Sequence, residues 1–147
     1  MDAFSTGRIY QKSMNVIDAA IAAVIGMMND LHPFATVTRG ALPTGNGIIC
    51  EKTTDSPDEV YLDKGARIPI SLTLNAKHEN LQTVSDTLNR IHDELTKKRD
   101  PAGYPSGDGW KVIDIWTETY PNIIDRENNN AWVMASALIV NLEKKGV

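Results

Sequence analysis

The most regular pattern along the chain lies between Glu79 and Arg99, where Leu81, Val84, Leu88, Ile91 and Leu95 recur at alternating intervals of three and four. That spacing puts all five on one face of a helix. Asp86 with Arg90, Asp93 with Lys97 and Glu94 with Lys98 stand four apart with the acid first, the favourable order on a helix's exposed side. Glu79 falls near the positive end of this helix, and Lys97, Lys98 and Arg99 near its negative end, as the helix dipole favours. Pro101 and Gly103 stop it, and Pro105 to Gly109 reads as a loop. An earlier helix is predicted from Met14 to Leu31, with Ile17, Ala20, Ile21, Val24, Met27, Met28 and Leu31 on one face. Val16 and Ala23 widen this stripe beyond what one packing surface needs. His32-Pro33 ends it, because a residue before proline is pushed out of the helical region.

Elsewhere the pattern is that of strands. Thr36 to Asp58, rich in glycine and proline, reads as a long loop entering an edge strand at Ile48 to Thr53. Val60 to Leu62 follows as a short strand, and Asp63-Lys64-Gly65 reads as a hairpin turn. Then Ile68, Ile70, Leu72 and Leu74 alternate with Pro69, Ser71, Thr73 and Asn75, the signature of a strand with one face in a core. Two longer strands are predicted at Trp110 to Tyr120 and Trp132 to Leu142, separated by Pro121 and the polar stretch Asp125 to Asn130. In the last strand Trp132, Met134, Leu138, Val140 and Leu142 share one face, while Val133, Ala135, Ala137 and Ile139 share the other. A strand apolar on both faces is covered twice, by its own helices or by those and a partner. These elements give an α+β fold: a small mixed, mostly antiparallel sheet with two main helices packed on one face. The wide helical stripe and the two-sided strand set an expected subunit interface of Ala20, Ala23, Met27, Ala135 and Ala137, with Arg126 and Glu127 in the adjoining turn.

Composition narrows the function. At 147 residues, 41% hydrophobic and 23% charged, residues 1–147 are expected to form one domain around one core. The net charge is −4, and the longest basic run is Lys97-Lys98-Arg99, so a duplex-binding surface is not expected. The beginning of the chain has no charged segment followed by an apolar run, and the apolar stretch Val16 to Leu31 is too polar to span a bilayer. Neither a secretory leader nor a membrane partner is expected. Cys50 is the only cysteine, which excludes an intramolecular disulfide.

Four features invite a chemical reading. Gly40 to Gly47 opens with the glycine spacing of a phosphate loop, but Asn46 and Gly47 replace its lysine and its hydroxyl residue, and a strand follows in place of a helix. His32, His78 and His92 lack the spacing of a metal-binding pair; if His78 and His92 were both helical, about 21 Å would separate them. A surface or capping role is expected for each. The neighbours of Cys50 do not form a nucleophile turn. Asp114 and Glu118 share a strand face that could do acid–base work, but a solvated face, or a salt bridge at a subunit boundary, accounts for them better. No catalytic residue, cofactor or metal is expected.

The order of elements, together with Ile68 to His78, Gln82 to Leu95, Trp110 to Pro121, the Glu127-Asn128 turn and Trp132 to Gly146, resembles the tail-terminator or minor capsid proteins of long-tailed bacteriophages. The resemblance runs from the first helix onward and leaves Thr36 to Asp58 unmatched. It implies a non-enzymatic structural virion protein, assembled in the host cytoplasm into a homo-oligomeric ring, a hexamer. Such a ring caps the head-proximal end of the tail tube, ends its polymerisation and provides the surface for head joining. Its implied partners are other copies of itself, the major tail tube protein and the head–tail connector or neck protein. The alternatives are another neck or head-completion protein, or a small α+β ligand-binding domain or enzyme using the Gly40 to Gly47 loop.

Overall fold

The computed structural model describes residues 2–53, 60–62, 65–97, 103–128 and 130–144. Helix α1 (Asp2–Asn29) is followed by strands β1 (Val37–Thr38), β2 (Gly47–Lys52), β3 (Val60–Leu62) and β4 (Gly65–His78). Helix α2 (Leu81–Leu95) leads to β5 (Ser106–Gly107), β6 (Trp110–Arg126) and β7 (Trp132–Lys144). The strands form one sheet in the order β1-β2-β4-β7-β6-β5, with β3 paired to β4 beside that path. Among the described residues only the β1–β2 pairing is parallel.

The centre of the sheet is the β4–β7 pair, in unbroken register from Ala66 opposite Lys144 to His78 opposite Trp132. Because strand side chains alternate between faces, this register fixes what each face carries. Ile68, Ile70, Leu72, Leu74 and Ala76 lie opposite Leu142, Val140, Leu138, Ser136 and Met134, and all ten are buried. All but the polar Ser136 form one core with Ala20, Ile21, Val24 and Met28 of α1 and with Val84, Leu88, Ile91 and Leu95 of α2. The expected α+β architecture, with both helices on one face, is what the structure shows. The strand apolar on both sides is central, between β4 and β6, and no helix covers its other face among the described residues.

Boundaries depart from expectation where local chemistry decides them. Helix α1 begins at Asp2, well before Met14. It ends where Leu31 and His32 bond back to Met28 and Asn29, and His32 turns into the left-handed region with φ 53°. Asn29 then pairs with both backbone groups of Val37, accepting from its N–H at 2.8 Å and donating to its carbonyl at 3.2 Å. The side chain thus does for β1 what a neighbouring strand would do. Helix α2 is shorter than predicted because Asn80 caps it, accepting from the Thr83 N–H at 3.0 Å. Glu79 therefore stands ahead of the cap. At the other end Thr96 closes onto the His92 carbonyl. Asp86 takes Gln82 as its partner, and Lys97 pairs with Glu94 three residues back. Lys98, Arg99 and the turn residues Asp63 and Lys64 lie outside the described residues, though Leu62 and Gly65 flanking that turn are antiparallel partners.

Strand β6 differs most from its predicted form. It runs six residues past Tyr120, through Pro121 to Arg126. Proline is tolerated in a strand only where no neighbour needs its missing N–H. Here β5 borders β6 at Trp110 and Lys111 alone, so Pro121 sits on an outer edge. Seventeen residues of β6 pair with thirteen of β7, with register shifts after Val112, Thr117, Thr119 and Ile123. Extra residues of this kind bend and twist the strand that carries them.

Candidate assembly surface

Three sets of residues decorate the sheet outside its core. The first is the helix-free face. Asp114 accepts from the Asn141 amide there, and Glu118 accepts from the Ser71 hydroxyl across the top of β7. Each carboxylate is engaged by a neutral partner, so the two brace neighbouring strands. Val133 and Ala137 are buried on this face, and Ala135 and Ile139 are half-buried.

The second set ties loops to the end of the sheet. The Lys77 ammonium is almost fully buried, with its side chain 4% exposed, and bonds Glu127 at 3.0 Å and the Thr44 carbonyl at 3.2 Å. It clamps the Gly40 to Gly47 loop to the β6–β7 turn. That turn closes through the Glu127 N–H bonding the Ala131 carbonyl and the Asn130 N–H bonding the Glu127 carbonyl, with Asn130 at φ 67°. Beside it the Arg126 guanidinium lies 4.4 Å from the Trp132 ring centroid, within cation–π range. At the loop's start Arg39 bonds Glu51 at 2.6 and 3.0 Å and Asp18 at 3.0 Å, while the Gly40 N–H bonds the other Glu51 oxygen. The Arg39 bond holds the Glu51 carboxyl below its usual range. Gly47 opens β2, and a Cβ there would lie 2.5 Å from Cγ of Pro43, so the loop folds flat onto the strand.

The third set is apolar and exposed: Trp116, Tyr120, Ile123 and Ile124, all on β6. A cavity of about 590 Å³ opens beside them, lined by Thr96 and Tyr104 on one side and by 113–117 and Tyr120 on the other. Tyr104 is fixed by its hydroxyl bonding the Lys97 carbonyl at 3.0 Å. Sequence reasoning passed over these four residues. Trp116 and Tyr120 did offer a signal, two large rings alternating with the carboxylates of Asp114 and Glu118 along one strand.

The expected interface residues do not converge on one patch. Ala20 is fully buried beneath α1, with Ala23 and Met27 half-buried beside it on the helical side. Ala135 and Ala137 lie on the helix-free face, and Arg126 and Glu127 lie at the end of the β6–β7 hairpin.

The groups weighed for chemistry are dispersed. Burial pushes the Cys50 thiol up to about 12, with Glu51 adding to the effect, so it is a protonated core side chain near neutral pH. His78 ends β4, not a helix; it stacks edge-on against Phe34 at 4.9 Å and its Nδ1 accepts from the Asn80 N–H. His92 corrects the expectation of a surface role: it is buried on α2, with Nδ1 2.9 Å from the Thr117 hydroxyl and Nε2 without a partner among the described residues. Burial holds it down at about 4. Among the described residues no three His, Cys, Asp or Glu side chains gather as a metal site would require, and no helix is long and apolar enough to cross a membrane.

No protein-family model matches the sequence, and no curated protein matches it. Among solved structures the chain is similar to one described as "Virion of native gene transfer agent (GTA) particle", with a TM-score of 0.52 over 82% of this chain and 85% of that one, at 10% identity. At that identity the likeness is one of fold.

Proposed function

We propose that this chain is a structural virion protein: one subunit of a ring, a hexamer, that caps the head-proximal end of a tail tube, ends its growth and presents the surface to which the head joins. The observation that carries the reading is the fold shared with a chain of a gene transfer agent virion over most of both lengths. The sequence resemblance to tail terminators in Ile68 to His78, Trp110 to Pro121 and Trp132 to Gly146 supports the same reading independently.

The physics of a tube supplies the mechanism. Each tube ring offers its successor a head-to-tail surface, and such contacts do not close along the axis. A ring with one face complementary to the tube and a different opposite face stops addition by geometry. No bond is made or broken, and no catalytic residue or cofactor is needed. The acidic balance of the chain favours a basic neighbour, where charge complementarity sets association rate and partner choice. The buried Lys77 clamp and the Asn29–Val37 pairing fix loops at one end of the sheet, which suits a part whose task is to hold a shape against its neighbours.

The direct biochemical test adds purified protein to tail tube protein as it polymerises. Mean tube length is expected to fall as the ratio of this chain to tube protein rises, with label on one tube end only. Tubes of unchanged length at equimolar protein, with no label at either end, would contradict the proposal.

A further inference from the structure

The large hydrophobic side chains that stand exposed among the described residues are Trp116 (61%), Tyr120 (75%), Ile123 (50%) and Ile124 (54%). All fall within one short stretch of one strand. Single exposed apolar residues scattered over a surface need no explanation, but a set gathered along one edge marks a contact surface, and here it wraps that edge, with Trp116 opposite Ile139 on the helix-free face and Ile123 opposite Met134 on the helical face. The edge that carries them is also open, because beyond Lys111 no strand borders the outer side of β6 among the described residues. The cavity between Thr96, Tyr104 and Ile113 to Thr117 runs into the same strip at Trp116 and Tyr120.

We infer that this strip of β6, with the cavity beside it, is the seat of a second copy of the chain in the assembled ring. The inference rests on the ring reading above and names the surface through which the ring would close. Length argues for a protein occupant: nine strand residues at about 3.3 Å each span about 30 Å, far more than a small ligand covers. Area argues the same way. Four such side chains offer on the order of 500 Å², and the cavity walls bring this toward the roughly 800 Å² per partner of a stable interface. Tryptophan and tyrosine are the residues that most often anchor such interfaces. Asp114, Glu118 and Asp125 lie on the same strand, so a phosphate-bearing partner would meet carboxylates.

The strand's shape limits how the second copy can sit. The register shifts after Val112 and Thr117, together with Pro121, break the regular run of edge amides that continuous strand addition needs. The contact is therefore made by side chains that pack into the neighbour, with few backbone bonds. Closing a ring also requires that this strip meet a different surface of the next copy, since a patch that met itself about a two-fold axis would stop at a dimer.

The test places a photo-crosslinking benzoylphenylalanine at Tyr120 in the full chain and, as a control, at exposed Arg90 on α2. Irradiation of the purified protein is expected to give covalent multimers from the Tyr120 position, with the attached peptide mapping to the same chain outside β6, and none from Arg90. Trp116→Glu, at a side chain already mostly in solvent, should weaken self-association roughly ten- to a hundredfold by sedimentation, with circular dichroism and thermal unfolding unchanged. A ring that assembles as tightly with Trp116→Glu as without it would overturn the assignment while leaving the ring itself in place. Crosslinks from Tyr120 to another virion protein and never to this chain would overturn it too. So would a wild-type chain that stays monomeric at every concentration, and the capping role would then be judged on tube length alone.

Discussion

At the residue scale, Lys77 and Glu127 form a lopsided pair: the lysine side chain is 4% exposed and the glutamate 39%. Removing the carboxylate strands a buried cation, whereas removing the lysine leaves a carboxylate that water can reach. Glu127→Ala should therefore cost more than Lys77→Met, about 2–4 against about 1–2 kcal/mol in urea unfolding. Equal costs would mean that the ammonium is not desolvated as the structure has it. His92 gives a second prediction, through pH. Its native value is held near 4 by burial, against 6.5 for the free side chain, with Asp93 pulling weakly the other way. Between those values the unfolded chain binds a proton that the native chain does not. The contribution is thus complete above about pH 6.5 and is lost as pH falls toward 4, with a slope approaching 1.4 kcal/mol per unit from this one group. His92→Gln should flatten the stability profile in that window; an unchanged slope would show that His92 takes its proton freely. Glu51, held low by Arg39, loses its contribution only at more acid pH, so the two effects separate. None of this was legible in the sequence, because a histidine beside Ile91 on a helix reads the same whether Thr117 and the sheet close over it or not.

At the element scale, patterns with a long period were readable and patterns set by single contacts were not. Leu81 to Leu95 and Ile68 to Leu74 declared their periods, so both elements and their buried faces were recovered. The boundaries of α2 were missed because Asn80, not Glu79, supplies the cap. Asn80→Ala is accordingly expected to destabilise the protein by about 1 kcal/mol, whereas Glu79→Ala should have little effect; thermal unfolding of the two variants decides between the boundaries. β1 and β5, two residues each, carry no period at all, and β1 exists because Asn29 reaches across to Val37. The extension of β6 through Pro121 was hidden for a related reason. Whether proline breaks a strand depends on whether a neighbour lies beside it, and the open edge of β6 is a property of the whole sheet. The exposed apolar strip on that edge went unread along with it.

At the scale of the whole molecule, one sheet backed by two helices leaves a helix-free face braced by Asp114–Asn141 and Glu118–Ser71 bonds, and an edge lined with Trp116, Tyr120, Ile123 and Ile124. Distinct surfaces on its faces and edge suit a part that joins unlike neighbours, as the proposed role requires. The proposed role lies in where growth stops, so the decisive measurement is tail length when the chain is missing. Electron microscopy of lysates from a virus with this gene disrupted should show overlong tails without heads beside filled heads without tails, because the tube runs past its stop and the docking surface is absent. Tails of normal length that remain unattached would point to a neck-joining role, and tails of normal length joined to heads would contradict the account.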